Sequence, residues 1–122
     1  MSPMLAIGVD IIETERVAQS IARFGDRFLR RVYTERELSY CRGRIESLAA
    51  RWAAKEAAAK ALGCGIGPVS WQEIEVVGEA NQRPSLQLHG AAAEMAGRLD
   101  IQKLAVSLSH AKNYAVAFVV AE

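Results

Sequence analysis

The sequence has little of what marks several large classes of protein. Its only two cysteines, Cys41 and Cys64, have no metal-ligand or C-x-x-C spacing. Two cysteines make no disulfide framework, so we expect two reduced thiols. No apolar run approaches the roughly 18 residues of a membrane span, and no basic region with a long apolar stretch and cleavage site opens the chain. Repeats and low-complexity tracts are absent. We expect a single-domain, cytoplasmic protein without membrane contact.

Net charge is also small, because 15 Lys and Arg oppose 14 Asp and Glu in 122 residues. The charge is unevenly placed, since the first 60 residues hold 11 of the basic residues and only 8 of the acids. Five arginines lie close together in this half: Arg16, Arg23, Arg27, Arg30 and Arg31. A local basic surface on a nearly neutral protein fits an acidic protein partner better than nucleic acid, which we do not expect to bind. A solvated helical face is the alternative explanation.

Hydrophobic periodicity and turn residues predict an α+β domain, with an N-terminal strand and helices, including one long central helix, packed on a small, mostly antiparallel sheet. Predicted helices cover residues 14–24, 26–32, 34–41, 44–62 and 90–99, and predicted strands cover residues 4–12, 71–77, 85–88, 104–109 and 114–120. Thr34 and Glu37 have capping-box spacing at a helix start. Gly63 is expected to end the long helix, and residues 81–84 form a turn.

Glu56 is the most informative side chain of the long helix. At about 100° per residue it falls at the centre of an apolar stripe. The stripe consists of Ile45, Leu48, Ala49, Trp52 and Ala59. Burying an unpaired carboxylate is costly, so such a group is protonated, paired or bound to a cation. An ion pair with an internal Arg or Lys is the structural explanation, and a functional role is the other.

Asp10 favours the functional role. It is the only charged residue in a nearly unbroken apolar run that is typical of a strand covered on both faces. Two carboxylates in otherwise apolar elements suggest one shared site. Their hard oxygen ligands suit Mg²⁺, which takes one or two carboxylates and leaves other positions to water and phosphate.

The glycine-dense loop of residues 63–68 follows the long helix. Glycine lets backbone N–H groups approach a phosphate closely. A plain helix-to-strand connection explains the loop equally simply, and we prefer it.

Three segments together resemble one family. The run Gly8-Val-Asp10-Ile-Ile-Glu-Thr-Glu-Arg16 resembles the N-terminal pattern G-x-D-[IL]-x-x-x-x-R of holo-[acyl-carrier-protein] synthases. Residues 52–60, WAAKEAAAK, resemble the [FW]-x-x-K-E-x-x-x-K signature of 4′-phosphopantetheinyl transferases. Ser107-Leu-Ser-His110 is similar to their C-terminal S-[LI]-[ST]-H strand. The three motifs, in order and over nearly the whole chain, resemble the small, single-domain bacterial group.

The resemblance implies an activity and its residues. The expected reaction moves the 4′-phosphopantetheine arm of coenzyme A to a serine of apo-acyl carrier protein, leaving adenosine 3′,5′-bisphosphate, and serves fatty acid or polyketide synthesis. Asp10 and Glu56 would hold Mg²⁺, and with Lys60 they are the expected catalytic residues. The expected coenzyme A contacts are Lys60, His110, Arg51, Lys55, Arg83 and Pro84. Helical projection places Arg51 and Lys55 on the flank of Glu56, where they serve the 3′-phosphate or only the surface. His110 would be structural without its motif.

The resemblance also implies partners. Arg16, Arg23, Arg27 and Arg30 would meet the acidic helix of an acyl carrier protein, and the small members of the family are trimers with active sites between subunits. The chain departs from its relatives at Cys64, where Thr or another small residue is usual, and at Gln82, where Gly is frequent. Three rival functions remain: a non-catalytic carrier-binding module, another Mg²⁺-dependent enzyme acting on a nucleotide diphosphate, and a structural subunit.

Overall fold

The structure is a computed structural model that describes residues 5–78 and 82–122. The helices are α1 (Thr14–Phe24), α2 (Asp26–Val32), α3 (Glu35–Cys41), α4 (Ile45–Ala61) and α5 (Gly90–Arg98). The strands are β1 (Ala6–Glu13), β2 (Ile74–Val77), β3 (Ser85–Leu88), β4 (Leu104–His110) and β5 (Tyr114–Ala121), with a 3₁₀ turn at Trp71–Glu73. The predicted α+β class and element order are confirmed.

Two antiparallel sheets form instead of one. The first has the strand order β1-β5-β4, so the N-terminal strand pairs with the C-terminal one, and the second pairs β2 with β3. In the first sheet Asp10 lies opposite Ala117, which lies opposite Leu108 on β4. Side chains alternate along a strand, so these three residues share the sheet face on which α4 packs.

The core lies between α4 and the three-stranded sheet. Eleven of the 17 residues of α4 are buried, and all of them except Leu48, Arg51 and Lys55 are alanines. Their small side chains let the strand approach closely. An added Cβ on Gly8 of β1 would lie 1.8 Å from the Ala57 carbonyl oxygen, so only glycine fits there.

The single apolar stripe predicted for α4 is wrong. The helix is buried on most of its circumference, because its alanines pack against β1 and β5 on one side and against other elements elsewhere. Glu56, placed at the centre of the stripe, is only partly buried, and so is Trp52. The wholly buried charge of this helix is Lys55. Alanine at 8 of the 17 positions left the projection too little contrast to find the buried face.

The first strand is covered on one face only within this chain. Gly8 and Ile12 point towards α4 and are buried, whereas the alternate residues Ile7, Val9 and Ile11 are 58%, 45% and 65% exposed. The expectation of a strand covered on both faces is therefore wrong for the isolated chain. The exposed side chains of β1 leave an apolar outer face on the first sheet.

Local signals placed the shorter elements well. The Thr34 side chain accepts the Glu37 backbone N–H while the Glu37 carboxylate accepts that of Thr34, which is the predicted capping box. Gly63 follows α4 with a φ of +79°, which favours glycine. Residues 71–73 form a 3₁₀ turn rather than the start of β2. The predicted turn at 81–84 and strand start at residue 4 fall partly outside the described residues.

Candidate active site

Asp10 and Lys60 form the first contact of the candidate site. Asp10 faces α4 from the middle of β1, and its Oδ1 lies 3.2 Å from Lys60 Nζ in the last turn of that helix. Lys60 Nζ also donates to the Val9 carbonyl at 3.1 Å. The Asp10 side chain is 18% exposed and that of Lys60 52%, so the pair lies at the edge of the sheet–helix packing and is open to solvent.

Glu56 lies one helical turn before Lys60. Residues four apart on a helix have Cβ atoms about 5–6 Å from each other, so Glu56 and Lys60 start from neighbouring points on one face of α4. Glu56 is partly buried and has no hydrogen bond or ion pair with residues 5–78 and 82–122. The structure therefore places Glu56, a carboxylate without a partner among these residues, one helical turn from the Asp10–Lys60 pair. No internal Arg or Lys neutralises Glu56 in this part of the chain.

This arrangement suits a hard divalent cation with incomplete protein ligation. The described residues contain no cluster of three or more His, Cys, Asp or Glu side chains that could enclose a metal ion. Asp10 and Glu56 offer two carboxylates, and Mg²⁺ commonly takes one or two carboxylates and fills its octahedron with water and substrate phosphate. The oxygen donors fit Mg²⁺ better than the softer metals, which prefer Cys and His.

A cavity of about 220 Å³ brings together three of the predicted coenzyme A residues, Arg51, Pro84 and His110. Arg51 comes from the middle of α4, Pro84 from the segment before β3, and His110 from the end of β4 on the helix-facing side of the sheet. The motif at Ser107–His110 and the α4 motif thus meet in space. A larger cavity of about 680 Å³ adjoins it, sharing Tyr40 and Arg51.

Arg51 is poised for an anion in this cavity. The residue is 5% exposed, its guanidinium carbon lies 4.0 Å from the centre of the Tyr40 ring, and its Nε has no hydrogen-bond partner among the described residues. A buried N–H group without a partner is costly, so the arrangement favours an acceptor from a ligand. Arginine presents a rigid fork of donors that matches phosphate oxygens.

Lys55 lines neither cavity, and the surface position expected for it is wrong. Its side chain has no exposed surface and pairs with Glu37 at 2.8 Å. The projection took the flank as a surface, whereas α3 and β2 cover it. Burial, opposed by the Glu37 carboxylate, lowers the pKa of Lys55.

The remaining predicted residues are on the surface. Arg83 is exposed beside Pro84. The four predicted carrier-protein residues are exposed on two consecutive helices: Arg16 and Arg23 on α1, and Arg27 and Arg30 on α2. Arg30 pairs with the exposed Glu35.

The glycine-dense loop behaves as a plain connection. The backbone N–H groups of Gly63, Cys64 and Gly65 donate to carbonyls at the end of α4, and that of Gly67 donates to Val69. Because these donors are used within the chain, the simpler interpretation of this loop holds.

Sequence reasoning missed several cavity residues. Tyr40, Ser47 and Gly78 line the 220 Å³ cavity together with Gln82 and Leu108. The spacing of Ser47 and Arg51, four residues apart on one helix, was an available signal. Nothing local connects Tyr40 or Gly78 to them, because only the tertiary packing of α3 and β2 on α4 brings them close.

The two groups of site residues do not share a cavity in one chain. The cavity of Arg51, Pro84 and His110 does not include Asp10, Glu56 or Lys60. Arg51 and Glu56 are five residues apart on α4, which turns their side chains about 140° from each other. Glu56 and the anion cavity of Arg51 therefore lie on different faces of α4.

Comparisons with known proteins agree with this fold and these motifs. A family model described as "4'-phosphopantetheinyl transferase superfamily" matches residues 6–119. A holo-[acyl-carrier-protein] synthase of Herpetosiphon aurantiacus is 52% identical over 96% of this chain and 98% of its own. The crystal structure of the Helicobacter pylori holo-[acyl-carrier-protein] synthase in complex with coenzyme A superposes with a TM-score of 0.87 at 33% identity, covering 95% of this chain and 99% of that one. The Neisseria meningitidis synthase gives 0.87 at 36% identity, covering 96% and 97%.

The fold and the pair of helix and strand motifs define an enzyme of the phosphopantetheinyl transferase class. The chain belongs to the 4′-phosphopantetheinyl transferase superfamily, within its holo-[acyl-carrier-protein] synthase group. The family resemblance drawn from the three motifs is confirmed. No helix in residues 5–78 or 82–122 has the length and apolar character needed to span a bilayer.

Proposed function

We propose that this protein transfers the 4′-phosphopantetheine arm of coenzyme A to a serine hydroxyl of apo-acyl carrier protein, the reaction of its family, in support of fatty acid or polyketide synthesis in the cytoplasm. The observation that carries the proposal is the contact of Asp10 with Lys60 at a solvent-open edge, one helical turn from the partly buried Glu56. Transfer from a pyrophosphate requires charge neutralisation and in-line positioning of the nucleophile. Lys60 would supply one positive charge, and the two carboxylates would hold the cation that supplies the rest.

The roles divide as follows. The serine oxygen attacks the β-phosphorus of coenzyme A, a new P–O bond forms, and the bond to the bridging oxygen breaks as adenosine 3′,5′-bisphosphate leaves. The Glu56 carboxylate, which has no partner among the described residues, takes the serine proton directly or through water. Lys60 donates to the phosphate oxygens as negative charge develops on the leaving group, which is the electrostatic stabilisation that such reactions need most. Asp10 orients Lys60 through their contact.

Asp10 and Glu56 would also hold Mg²⁺, whose oxygen preferences they match. When bound, the ion neutralises the pyrophosphate and screens the two carboxylates from it. The alternative functions are less well supported, because a carrier-binding module does not require the Asp10–Lys60 pair or the nearby Glu56 carboxylate.

The cavity of Arg51, Pro84 and His110 is the proposed site of the coenzyme A nucleotide. Arg51 presents its unpartnered Nε, and His110 stands exposed at the cavity wall. A 3′-phosphate is an acceptor with the required charge. Arg83 is proposed as an additional phosphate contact from the exposed rim beside Pro84. The coenzyme A complex of the Helicobacter pylori protein supports this choice of ligand.

We further propose a homotrimer with active sites shared between neighbouring subunits. The outer face of the first sheet exposes Val9, Ile11 and Phe118, which lie side by side on paired strands. Contiguous exposed apolar surface of this kind marks an interaction site. Such an assembly brings the carboxylates of one subunit towards the anion cavity of the next, which would join the two groups that one chain keeps apart.

Arg16, Arg23, Arg27 and Arg30 are the proposed docking surface for the acyl carrier protein. All four are exposed on α1 and α2. The association rate of an acidic protein surface with such a basic patch falls as the salt concentration rises. We therefore expect the apparent KM for the carrier protein to rise with ionic strength.

The experiment is mass spectrometry of an apo-acyl carrier protein incubated with this protein, coenzyme A and Mg²⁺. The expected result is a gain of one phosphopantetheine arm, lost when EDTA is added and when Glu56→Gln replaces the wild type. No gain with several carrier proteins, although coenzyme A binds, would favour the binding-module function instead.

A further inference from the structure

Lys55 and Glu37 form an ion pair that is sealed inside the protein. Lys55 Nζ lies 2.8 Å from Glu37 Oε1, and neither side chain has exposed surface. The ammonium also donates to the carbonyl oxygens of Trp71 at 3.0 Å and Ile74 at 2.7 Å. An ammonium has three donor hydrogens. All three have acceptors here, and none is left for a ligand.

Glu37 joins the same pair to two further elements. Its carboxylate accepts the backbone N–H groups of Thr34 and Val76, each at 2.8 Å. A buried ion pair is weak support for stability, because an apolar pair of similar volume is often as good or better. A fully hydrogen-bonded buried network does, however, fix the geometry of what it joins. The network fixes the start of α3, the 3₁₀ turn and β2 to one position on α4.

Outside Lys55, the hydrogen bonds that fix the rotation of α4 are few: the Tyr33 hydroxyl donates to the Leu48 carbonyl near the start of the helix, and Lys60 Nζ donates to β1 at its end. Most of its buried side chains are alanines, and uniform small side chains specify one packing arrangement poorly. Lys55 supplies directional bonds, and Glu56 follows it directly in the chain. A rotation of α4 by about 20° would move a side-chain tip at a radius of about 6 Å through about 2 Å. Misplacement by about 1 Å can cost about 100-fold in rate.

We propose that Lys55 is a positioning residue for the transfer reaction: its bonds to Glu37 and to the carbonyls of Trp71 and Ile74 set the rotation of α4 that aims Glu56 beside Lys60. This inference rests on the proposed function. Lys55 makes no contact with coenzyme A, since its ammonium is enclosed. Arg51 has a contact of its own, the stacking of its guanidinium on Tyr40, and its long side chain has enough rotamer freedom to keep that contact through a small rotation of α4.

The first test is Lys55→Met, which removes the ammonium and keeps the side-chain length. We expect kcat to fall about 100-fold at a temperature well below the melting point. We expect the Kd of coenzyme A, measured by calorimetry without Mg²⁺, to stay within about threefold, because the Arg51 side chain can stay stacked on Tyr40 after a small rotation of α4. A large rise in that Kd with kcat preserved would make Lys55 a ligand and overturn the proposal.

A matched control separates positioning from stability. Val119→Ala truncates a fully buried residue of β5 away from the pair and lowers the melting temperature without touching the network. The kcat of each variant is measured at a temperature the same number of degrees below its own melting temperature. If Lys55→Met and Val119→Ala then have equal kcat values, the ion pair serves stability alone and the proposal fails.

A second variant guards against misfolding. Glu37→Gln/Lys55→Met removes both charges together, which avoids leaving one buried charge alone. It should fold more stably than Lys55→Met and still show the roughly 100-fold loss of kcat expected of a displaced catalytic group. Recovery of wild-type kcat in the double variant would overturn the proposal. Absence of transfer by the wild type itself would overturn the proposed function instead, so the two failures are distinct.

Discussion

Gly8 on β1 lies against the Ala57 carbonyl of α4, with room for no side chain between them, since a Cβ at residue 8 would sit 1.8 Å from that oxygen. The contact lets the strand approach the helix backbone directly. Asp10, two residues further on the same face of β1, then reaches Lys60 at 3.2 Å. The close approach that Gly8 permits therefore lets Asp10, in the same motif, contact Lys60.

Gly8→Ala should destabilise the protein and abolish transfer together. The added methyl group clashes with backbone atoms of α4, which can move only if the whole helix or strand shifts, and overpacking of this kind costs about 3 kcal/mol or more of folding stability. A shift of β1 would also move Asp10. The measurements are urea denaturation and the carrier-protein assay. Gly97→Ala on α5 is the control, because nothing lies within 4 Å of its added Cβ, and alanine in a helix should stabilise by about 0.5–1 kcal/mol. A stable, active Gly8→Ala variant would contradict this account.

Local signals predicted much of this fold because they act over a few residues. The capping box of Thr34 and Glu37 and the positive φ of Gly63 formed as expected, since each is decided by its own turn. The three motifs identified Asp10, Glu56 and Lys60 as a group, and the structure brings Asp10 and Lys60 into contact one helical turn from Glu56. The roles of these residues stay predictions.

The interior of α4 was not predictable in this way. Periodicity shows which face of a helix is apolar, but eight buried alanines make every face look alike. The burial of Lys55 depends on Glu37, eighteen residues earlier, and on carbonyls of residues 71 and 74. Only tertiary packing brings these groups together. Tyr40, Ser47 and Gly78 of the Arg51 cavity escaped prediction for the same reason, because separate elements contribute them.

Lys60→Gln should lower kcat by about 100- to 1000-fold, the usual cost of removing one donor that stabilises charge in a transition state. Glutamine keeps hydrogen-bonding capacity but not the positive charge. Steady-state rates with saturating coenzyme A and carrier protein measure the effect. Lys103→Gln, an exposed lysine away from the site, is the control. Equal rates for the two variants would remove Lys60 from the mechanism.

Acid should destabilise the protein partly through Glu75. Burial raises the pKa of this carboxyl, but hydrogen bonds with Thr34 and His89 and the nearby Arg36 hold it below its ordinary value. The unfolded chain therefore binds the proton more readily than the folded one. The stabilisation is complete above the unfolded pKa of about 4.3 and is lost as pH falls through the lower folded value.

Urea midpoints of the wild type and Glu75→Gln across this acid range test that sign. The wild type should lose its advantage over Glu75→Gln as the pH falls. Glu94→Gln, at an exposed position of α5, is the control and should run parallel to the wild type. A Glu75→Gln curve that also ran parallel to the wild type would show that this carboxyl has the same pKa folded and unfolded.

The two cysteines should differ in reactivity. Cys41 has no exposed surface, and burial raises the pKa of its thiol to about 11, so little thiolate forms near neutral pH. Cys64 is partly exposed in the loop after α4. Iodoacetamide at pH 8 should label Cys64 in the native protein and Cys41 only after unfolding, as peptide mapping would show. Cys64→Ser should remain unlabelled while native. Labelling of Cys41 in the native protein would contradict the buried position of this side chain on α3.

The apolar outer face of the first sheet gives the last prediction. Phe118 is 48% exposed there and lies opposite Val9. Phe118→Asp places a charge in the proposed subunit contact, so light scattering should show monomers and transfer should cease. Leu99→Asp is the matched control, because Leu99 is equally exposed, at 52%, but follows α5 rather than the sheet. It should leave both mass and activity unchanged. Retention of the wild-type mass by Phe118→Asp would rule out this face as the interface.

A shared active site requires that two neighbouring subunits of the proposed trimer each contribute part of the same site. Asp10→Asn and Arg51→Met alter the two groups of residues that one chain keeps in separate places, and each variant alone should be inactive. If a site takes its carboxylates from one subunit and its anion cavity from the next, co-expression of the two variants restores sites in which both halves are wild type. Random assortment in a cyclic assembly should return about one quarter of the wild-type activity. No recovery in verified mixed oligomers would mean that each chain completes its own site, and α4 would then have to move to bring Arg51 and Glu56 onto one substrate.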